Sequence, residues 1–358
     1  MVTNKAIGNA VSVIVALLFL GCDQAPTDNT VVSASGGGSL DKSAVSVATA
    51  NADGVGRFTS IDYPGAAHTF IWGINSAGDI VGSYKDGSSV RHGFLLRNGT
   101  FTSFDYPGAN WTEGWGISPQ GNIVGQYGLP GDNTIHGFLL RKGTFTPIDV
   151  AGQPNTMLVK ISPEGTIVGC YHVNNANGTT NLNTMYGFEM TDEGVVTSQP
   201  MARTMDNGVN PRGDIVGLYF DPATGMVLSS YLIRQGLMTW FQFEGSVATQ
   251  AWDISPSGKV VGFHRSSLTG PLPQIHGFIM EKGEMTSFDV EGATETRAYG
   301  ISATGDIVGY YVSAGVNHGF LLTHRGPIED RSGREDRGDR EDRSDREDRS
   351  DRQDRSDR

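Results

Sequence analysis

Short segments of alternating apolar and polar residues, ended by Gly, Pro, Asn or Ser, follow one another from about residue 57 to 323. No stretch of this region carries apolar residues at helical spacing, so the pattern is one of strands and tight turns. The pattern is also periodic. Asp79-Ile80-Val81-Gly82 returns at 122–125, 166–169, 214–217, 259–262 and 306–309, and the closing glycines are 43, 44, 48, 45 and 47 residues apart. His92-Gly93-Phe94-Leu95-Leu96 returns at 136–140, 276–280 and 318–322, with degraded copies at Tyr186-Gly187-Phe188 and Ser229-Ser230-Tyr231. Phe101-Thr102-Ser103-Phe104-Asp105 has copies that start at Phe58, Phe145 and Met285.

Each period divides into four strands. In the first unit these are Trp72 to Asn75, Ile80 to Tyr84, Gly93 to Arg97 and Thr100 to Tyr106. Ser76-Ala77-Gly78 and Asn98-Gly99 supply the turns, the second being a two-residue hairpin signal. Four antiparallel strands every ~45 residues is the pattern of a β-propeller blade. The last unit stops after its third strand, at Leu322, and Phe58 to Tyr63 precedes the first unit as a spare fourth strand. The expected fold is therefore all-β: a six-bladed β-propeller of four-stranded blades over 57–323, its last blade completed by the N-terminal strand. Such closure hides the edges that an open array exposes. The alternatives are an open stack of hairpins or a β-solenoid.

These strings resemble the HAF-type extracellular repeat of bacterial secreted proteins. That pattern runs Gly/Ile-Asn-x-x-Gly-x-Val-Val-Gly, then His-Ala-Phe-Leu, then x-Asn-Gly-x; here the middle element is His-Gly-Phe. The resemblance spans about residues 57 to 323. It implies an extracellular address and brings no catalytic residue.

The N-terminus agrees with export. Lys5 precedes an apolar run from Ala10 to Leu20, too short to span a bilayer and suited to a signal peptide at 1–21. Leu18-Phe19-Leu20-Gly21-Cys22 is similar to a bacterial lipoprotein signal, in which Cys22 is lipidated and begins the mature chain; an ordinary secretory signal is the alternative. Asp23 resembles the inner-membrane retention signal of enteric bacteria. Residues 22–56, with Ser35-Gly36-Gly37-Gly38-Ser39, read as a flexible linker. With Cys22 acylated, Cys170 reads as a small buried hydrophobe. At the other end, 324–358 includes ten arginine-ended triplets without an apolar residue, a composition expected to be disordered.

The chain holds 27 basic and 39 acidic residues, a net charge of −12. Ten arginines and thirteen acids lie in Glu329 to Arg358, so 17 basic and 26 acidic residues remain elsewhere. That balance argues against a nucleic-acid partner, which demands a basic footprint. The expected partner is an extracytoplasmic protein, glycan or small ligand, met by a monomer that touches the membrane through its lipid anchor only. The expected address is the periplasm or cell surface, with secretion as the alternative.

Counting outward from Asn98-Gly99 sets His92 opposite Asp105, and the same count pairs His136 with Asp149 and His276 with Asp289. Ring closure would set His318 opposite Asp62. A catalytic pair is needed once, so a fourfold pair reads as a strand-end clamp rather than an acid/base or metal site. No metal site and no cofactor are expected, because the eight histidines lack close-spaced partners. Thr69, Thr112, Thr156, Thr204, Thr249 and Thr296 recur three residues before an aromatic position and read as backbone-satisfying hydroxyls, with an ion-binding ring as the alternative.

That aromatic position holds Trp72, Trp115, Trp252 and Tyr299, with Val159 and Asn207 in the remaining units. Buried, the rings pack between blades; exposed, they suit stacking on a flat ligand. The following residue is glycine in four units but Lys160 and Asp253 in two, and both are expected to reach one axial channel, as a ligand site or as a plugging ion pair. Two residues before the aromatic stand Phe70, Glu113, Met157, Met205, Gln250 and Arg297, a varied set expected to form a solvent- or ligand-facing rim. The binding candidates are thus Lys160, Asp253, Glu113, Arg297, Trp72, Trp115, Trp252 and Tyr299. The chain has no Gly-x-Ser-x-Gly, P-loop, His-Glu-x-x-His or Ser-x-Asp-x-Gly-x-x-Trp sequence. The reading leans to a non-catalytic binding or scaffold module working through its variable loops. A propeller hydrolase or lyase acting on extracellular glycans or small molecules is the alternative.

Overall fold

In the computed structural model the described residues are 51–52, 56–176, 178–267 and 274–323. The signal peptide, Cys22, most of the linker and the arginine-triplet tail lie outside them. Among the described residues the only helical element is a single 3-10 turn, Leu182–Thr184; the other elements are β-strands.

The strands form four-stranded antiparallel sheets that follow chain order. The first unit is His68–Ile74, Ile80–Lys85, Arg91–Arg97 and Thr100–Phe104, and three further four-stranded sheets repeat it. The last two units lie in one nine-stranded sheet, because a single parallel bridge, Ile275 with Glu295, joins them. That sheet also contains Gly56–Ile61, which pairs antiparallel with Val316–Thr323; Phe58 stands opposite Leu322 and Ile61 opposite Gly319. Phe58 packs its ring on Phe288 and Phe320, so the added strand is held by core as well as by ladder bonds.

The repeated strings now have physical reasons. Gly82 sits across the ladder from Phe94, and a Cβ there would lie 2.6 Å from the Phe94 ring and 2.1 Å from the Phe70 carbonyl oxygen. The glycine of one string therefore makes room for the aromatic of the other. Phe94, Phe138, Phe188, Phe278 and Phe320 are all fully buried. Asn98 and Gly99 both have positive φ, 51° and 76°, the pair of conformations that a two-residue hairpin requires.

The first strands are longer than the sequence pattern suggests, His68–Ile74 rather than 72–75. They are masked by a bulge. Ile71 pairs with Gly82 and Gly73 with Val81, leaving Trp72 as the extra residue. The same break falls at Trp115, Val159, Asn207, Trp252 and Tyr299. A bulge breaks strict alternation and re-aims the side chain it carries. Successive first strands pack on one another, and that of the sixth unit, Glu295–Ile301, packs on that of the first, His68–Ile74. Their approach is close: a Cβ on Gly73 would lie 2.8 Å from the Trp115 carbonyl oxygen, and one on Gly208 2.7 Å from the Asp253 Cα.

Candidate functional site: the axis and its two rims

The six bulges deliver their side chains to a common centre. Trp72 stacks on Trp115 at 4.3 Å between centroids and meets Tyr299 edge-on at 4.7 Å. Trp252 lies 4.6 Å from Tyr299 and 5.8 Å from Trp115, a contact between the second and fifth units. All four rings are buried. They pack across the centre rather than only between neighbouring units, which follows from the bulge.

Lys160 and Asp253 meet within this cluster at 3.2 Å. Lys160 Nζ also donates to the Trp72 carbonyl oxygen at 2.8 Å and to that of Tyr299 at 3.0 Å. Asp253 accepts from the Ile254 amide at 2.9 Å and from the Ile301 amide at 3.0 Å. Three acceptors use the three protons of an ammonium, so the geometry is that of an ionised pair. Burial pulls the Lys160 pKa down and pushes that of Asp253 up, and each partner's charge opposes the shift. One pair thereby ties together strands of the first, third, fifth and sixth units. Asn207 donates to the Ala251 carbonyl oxygen at 2.9 Å, while its Oδ1 and the Trp252 Nε1 are buried without a partner among the described residues.

The expected open rim is not there. Phe70, Glu113, Met157, Met205, Gln250 and Arg297 are all buried. Glu113 accepts from Arg91 at 2.9 Å, from Gln126 at 2.8 Å and from the Trp115 indole at 3.2 Å. Arg297 pairs with Glu295 at 2.7 Å and lies 5.0 Å over the Phe263 ring. Variability at these positions therefore reflects six different local solutions to packing, not exposure to solvent.

At the end where the third strands begin, the His–Asp clamps are formed. His92 and Asp105 lie at 3.0 Å, His136 and Asp149 at 2.9 Å, His276 and Asp289 at 2.6 Å, and His318 and Asp62 at 2.9 Å. Each ring stacks on an aromatic of the neighbouring strand: Tyr84, Tyr127, His264 or Tyr311. Two clamps are double. His136 Nε2 also meets Asp132 at 3.1 Å, and His92 Nε2 faces Asp86 at 3.6 Å. Asp105 raises the pKa of His92 against the effect of burial, and Asp86 adds to the rise. Burial lowers that of His136, but Asp149 and Asp132 outweigh it and the net direction is up.

The recurrent threonines are spent on the backbone. Thr69 accepts from the Tyr63 amide at 2.9 Å, and Thr112, Thr156, Thr249 and Thr296 repeat the bond to the residue six positions earlier. Thr204 instead accepts from the Gly187 amide at 3.0 Å. Among the described residues no group of three His, Cys, Asp or Glu is arranged to hold a metal ion.

One buried titratable group was not singled out from the sequence. Asp206 is enclosed in the fourth unit, where the other units carry Ile71, Gly114, Leu158, Ala251 and Ala298. The Tyr231 hydroxyl donates to it, and Gln199 donates at 2.7 Å. Burial pushes its pKa up to about 7, against the two donors. The signal was a paired departure: tyrosine replaces the repeat's phenylalanine in the same unit in which an aspartate replaces an apolar or small residue.

No family model matches the chain, and no curated protein matches it. Solved structures similar to it include a fucose-specific lectin from Aleuria aurantia, 12% identical with a TM-score of 0.43, over 70% of this chain and 90% of that one. The β-propeller domain of the Trilobed protease from Pyrococcus furiosus is 11% identical with a TM-score of 0.44, over 73% of this chain and 95% of that one. A putative TolB from Agrobacterium tumefaciens is 13% identical with a TM-score of 0.44, over 66% and 79%. At this level the likenesses assign no ligand or reaction to this chain.

Proposed function

We propose that the chain is a closed six-bladed β-propeller with HAF-type repeats, exported and tethered through a lipidated Cys22. It serves as a binding or scaffold module for an extracytoplasmic protein, glycan or small ligand. The ring reading is supported by six first strands packed in succession, sixth on first, and by the pairing of Gly56–Ile61 with the last unit. The observation that carries the functional reading is the filled axis. Four aromatic rings and a Lys160–Asp253 pair with all its hydrogens used occupy the place where a propeller would present a central pocket. Recognition then falls to the periphery, where the loops differ most between units.

The test uses the full chain immobilised on beads and offered extracellular polysaccharides and peptides. Capture without release of shortened products is expected, and replacement of the loop from Asn174 to Asn181 by a short glycine linker should reduce it. Steady appearance of cleaved product would overturn the binding-module reading. The tether is tested separately by feeding cells a fatty-acid analogue: Cys22→Ala protein that still takes up the label contradicts it.

A further inference from the structure

We propose that the cleft between the first and second units, at the end of the sheets opposite the His–Asp clamps, is an oxyanion-binding site. It does not depend on the reading of the axis given above.

The argument rests on one broken rule of the repeat. Extending each ladder by one residue past Ile80–Leu96, Ile123–Leu140, Ile167–Met190, Ile215–Ile233, Val260–Met280 and Ile307–Leu322 sets the residue before the second strand against one at or just past the end of the third. In the first unit these are Asp79 and Arg97, paired at 2.8 Å, and in the fourth Asp214 and Arg234, at 3.3 Å. In the fifth unit the signs are exchanged and the pair survives, Lys259 with Glu281 at 3.2 Å. The third unit has two neutral residues, Thr166 and Thr191, and the sixth has Asp306 with Thr323. Only the second unit sets a cation, Arg141, against a neutral partner, Asn122. Deprived of a carboxylate at home, Arg141 reaches Asp192 of the next unit at 3.5 Å, and both side chains are largely exposed.

The surroundings concentrate positive charge at that place. Arg97 of the first unit extends over the turn of the second, where a Cβ on Gly121 would lie 2.7 Å from its Nη2. Gly121 has φ +81°, so glycine there serves both the turn and the guanidinium. Lys142 follows Arg141 in the hairpin and makes no ion pair among the described residues. Arg97, Arg141, Lys142, Gln120 and Asn122 line one cavity of about 440 Å³. Three cations and two side-chain amides line it, and two carboxylates at its edge, Asp79 on Arg97 and Asp192 on Arg141, leave the cluster net positive in a chain whose net charge is −12. Two guanidinium forks and an ammonium match the oxygens of a sulfate, phosphate or carboxylate group. Asn122 donates to such a group where aspartate would repel it.

The experiment titrates the full chain with sodium sulfate, sodium phosphate and sodium acetate at constant ionic strength, with chloride as control, and follows backbone amide shifts. Saturable shifts centred on residues 120–122 and 141–143 are expected. Two further arms, a sulfated and a uronate oligosaccharide, distinguish a free ion from a glycan-borne group by whether affinity rises above that of the ion alone. Asn122→Asp restores the repeat's own carboxylate beside Arg141 and should weaken binding at least tenfold without lowering the melting temperature. Arg141→Gln should do the same. Arg234→Gln, whose cation already answers Asp214, should leave binding unchanged. Wild-type affinity in Asn122→Asp, an equal loss in Arg234→Gln, or shifts that spread over the surface without saturating would each overturn the proposal.

Discussion

The axis and the clamp rim each set a basic side chain within about hydrogen-bond distance of a carboxylate, under opposite conditions. Lys160 and Asp253 are each over nine-tenths removed from water and meet at 3.2 Å. His136 and Asp149 meet at 2.9 Å, but Asp149 keeps 38% of its side chain exposed. Distance alone would rank the rim pair as the stronger. Burial reverses the consequence of losing a partner. Water re-solvates an abandoned rim charge, whereas an abandoned axial charge has only carbonyl dipoles and indole rings around it. The axial pair is therefore a point at which four units depend on one another, and each rim clamp is local to its own four-stranded unit.

The largest effect should come from breaking the axial pair on one side. Asp253→Ala leaves the Lys160 ammonium buried and should cost about 3–5 kcal/mol in urea unfolding. The double change Lys160→Met with Asp253→Leu removes both charges and should recover most of that loss, since well-packed apolar replacements of buried pairs are often neutral. If Asp253→Ala melts like wild type, the axis is wetter than its geometry implies and the contrast with the rim disappears.

How much of this was legible beforehand depended on whether the signal was periodic. The strands, their order, the added strand at Phe58 and the His–Asp partners followed from repeats and from counting across a two-residue hairpin. Lys160 and Asp253 were visible because they interrupt a glycine column. What the pattern concealed was the bulge at Trp72 and its equivalents, because one extra residue inverts the inside–outside alternation upstream of it. Hence Glu113 and Arg297 were expected at a solvent-facing rim and are buried in networks of their own. The Asp206–Tyr231 contact was hidden for another reason. Its two members lie 25 residues apart on strands of one unit and depart from the repeat one residue each.

Asp206 is intermediate between the two regions, a fully buried carboxylate with donors but no cation, and its titration sharpens the contrast. Its folded pKa, about 7, lies above the ordinary 3.8. Between those values the folded state holds a proton that the unfolded state has released. Its contribution to stability is thus largest below about pH 4, falls as pH climbs towards 7 and is level above. Asp79, Asp132 and Asp214 have lowered pKa values and act in the opposite sense, losing stability as pH drops through the acid range. The comparison that isolates Asp206 is therefore wild type minus Asp206→Asn. That difference should slope downward from pH 4 to 7, and a flat difference would mean that the carboxyl is ionised throughout. Glu189, which helps to raise the pKa, should shift the slope to lower pH when changed to Gln.

The smallest effect belongs to the rim. His136 gains two carboxylate partners on folding, so its pKa is raised and its clamp stabilises the fold fully below the ordinary value of 6.5. That stabilisation is lost as pH rises through the folded pKa, the reverse of what Asp79 and Asp214 do on acidification. Because Asp149 and Asp132 are more than a third exposed, the screened contribution should stay under about 1 kcal/mol. His136→Gln, which keeps a donor toward Asp149, should therefore shift the melting temperature by no more than a few degrees at pH 5.5 and by nothing measurable at pH 8.5. The shift should also shrink when sodium chloride is raised to 1 M, where the screening length falls to about 3 Å. Axial Asp253→Ala, screened by protein rather than salt, should show the same loss at both salt concentrations. A rim variant as damaging as the axial one, or an axial variant as salt-sensitive as the rim, would break the distinction at its physical root, since burial is what is argued to set the two pairs apart.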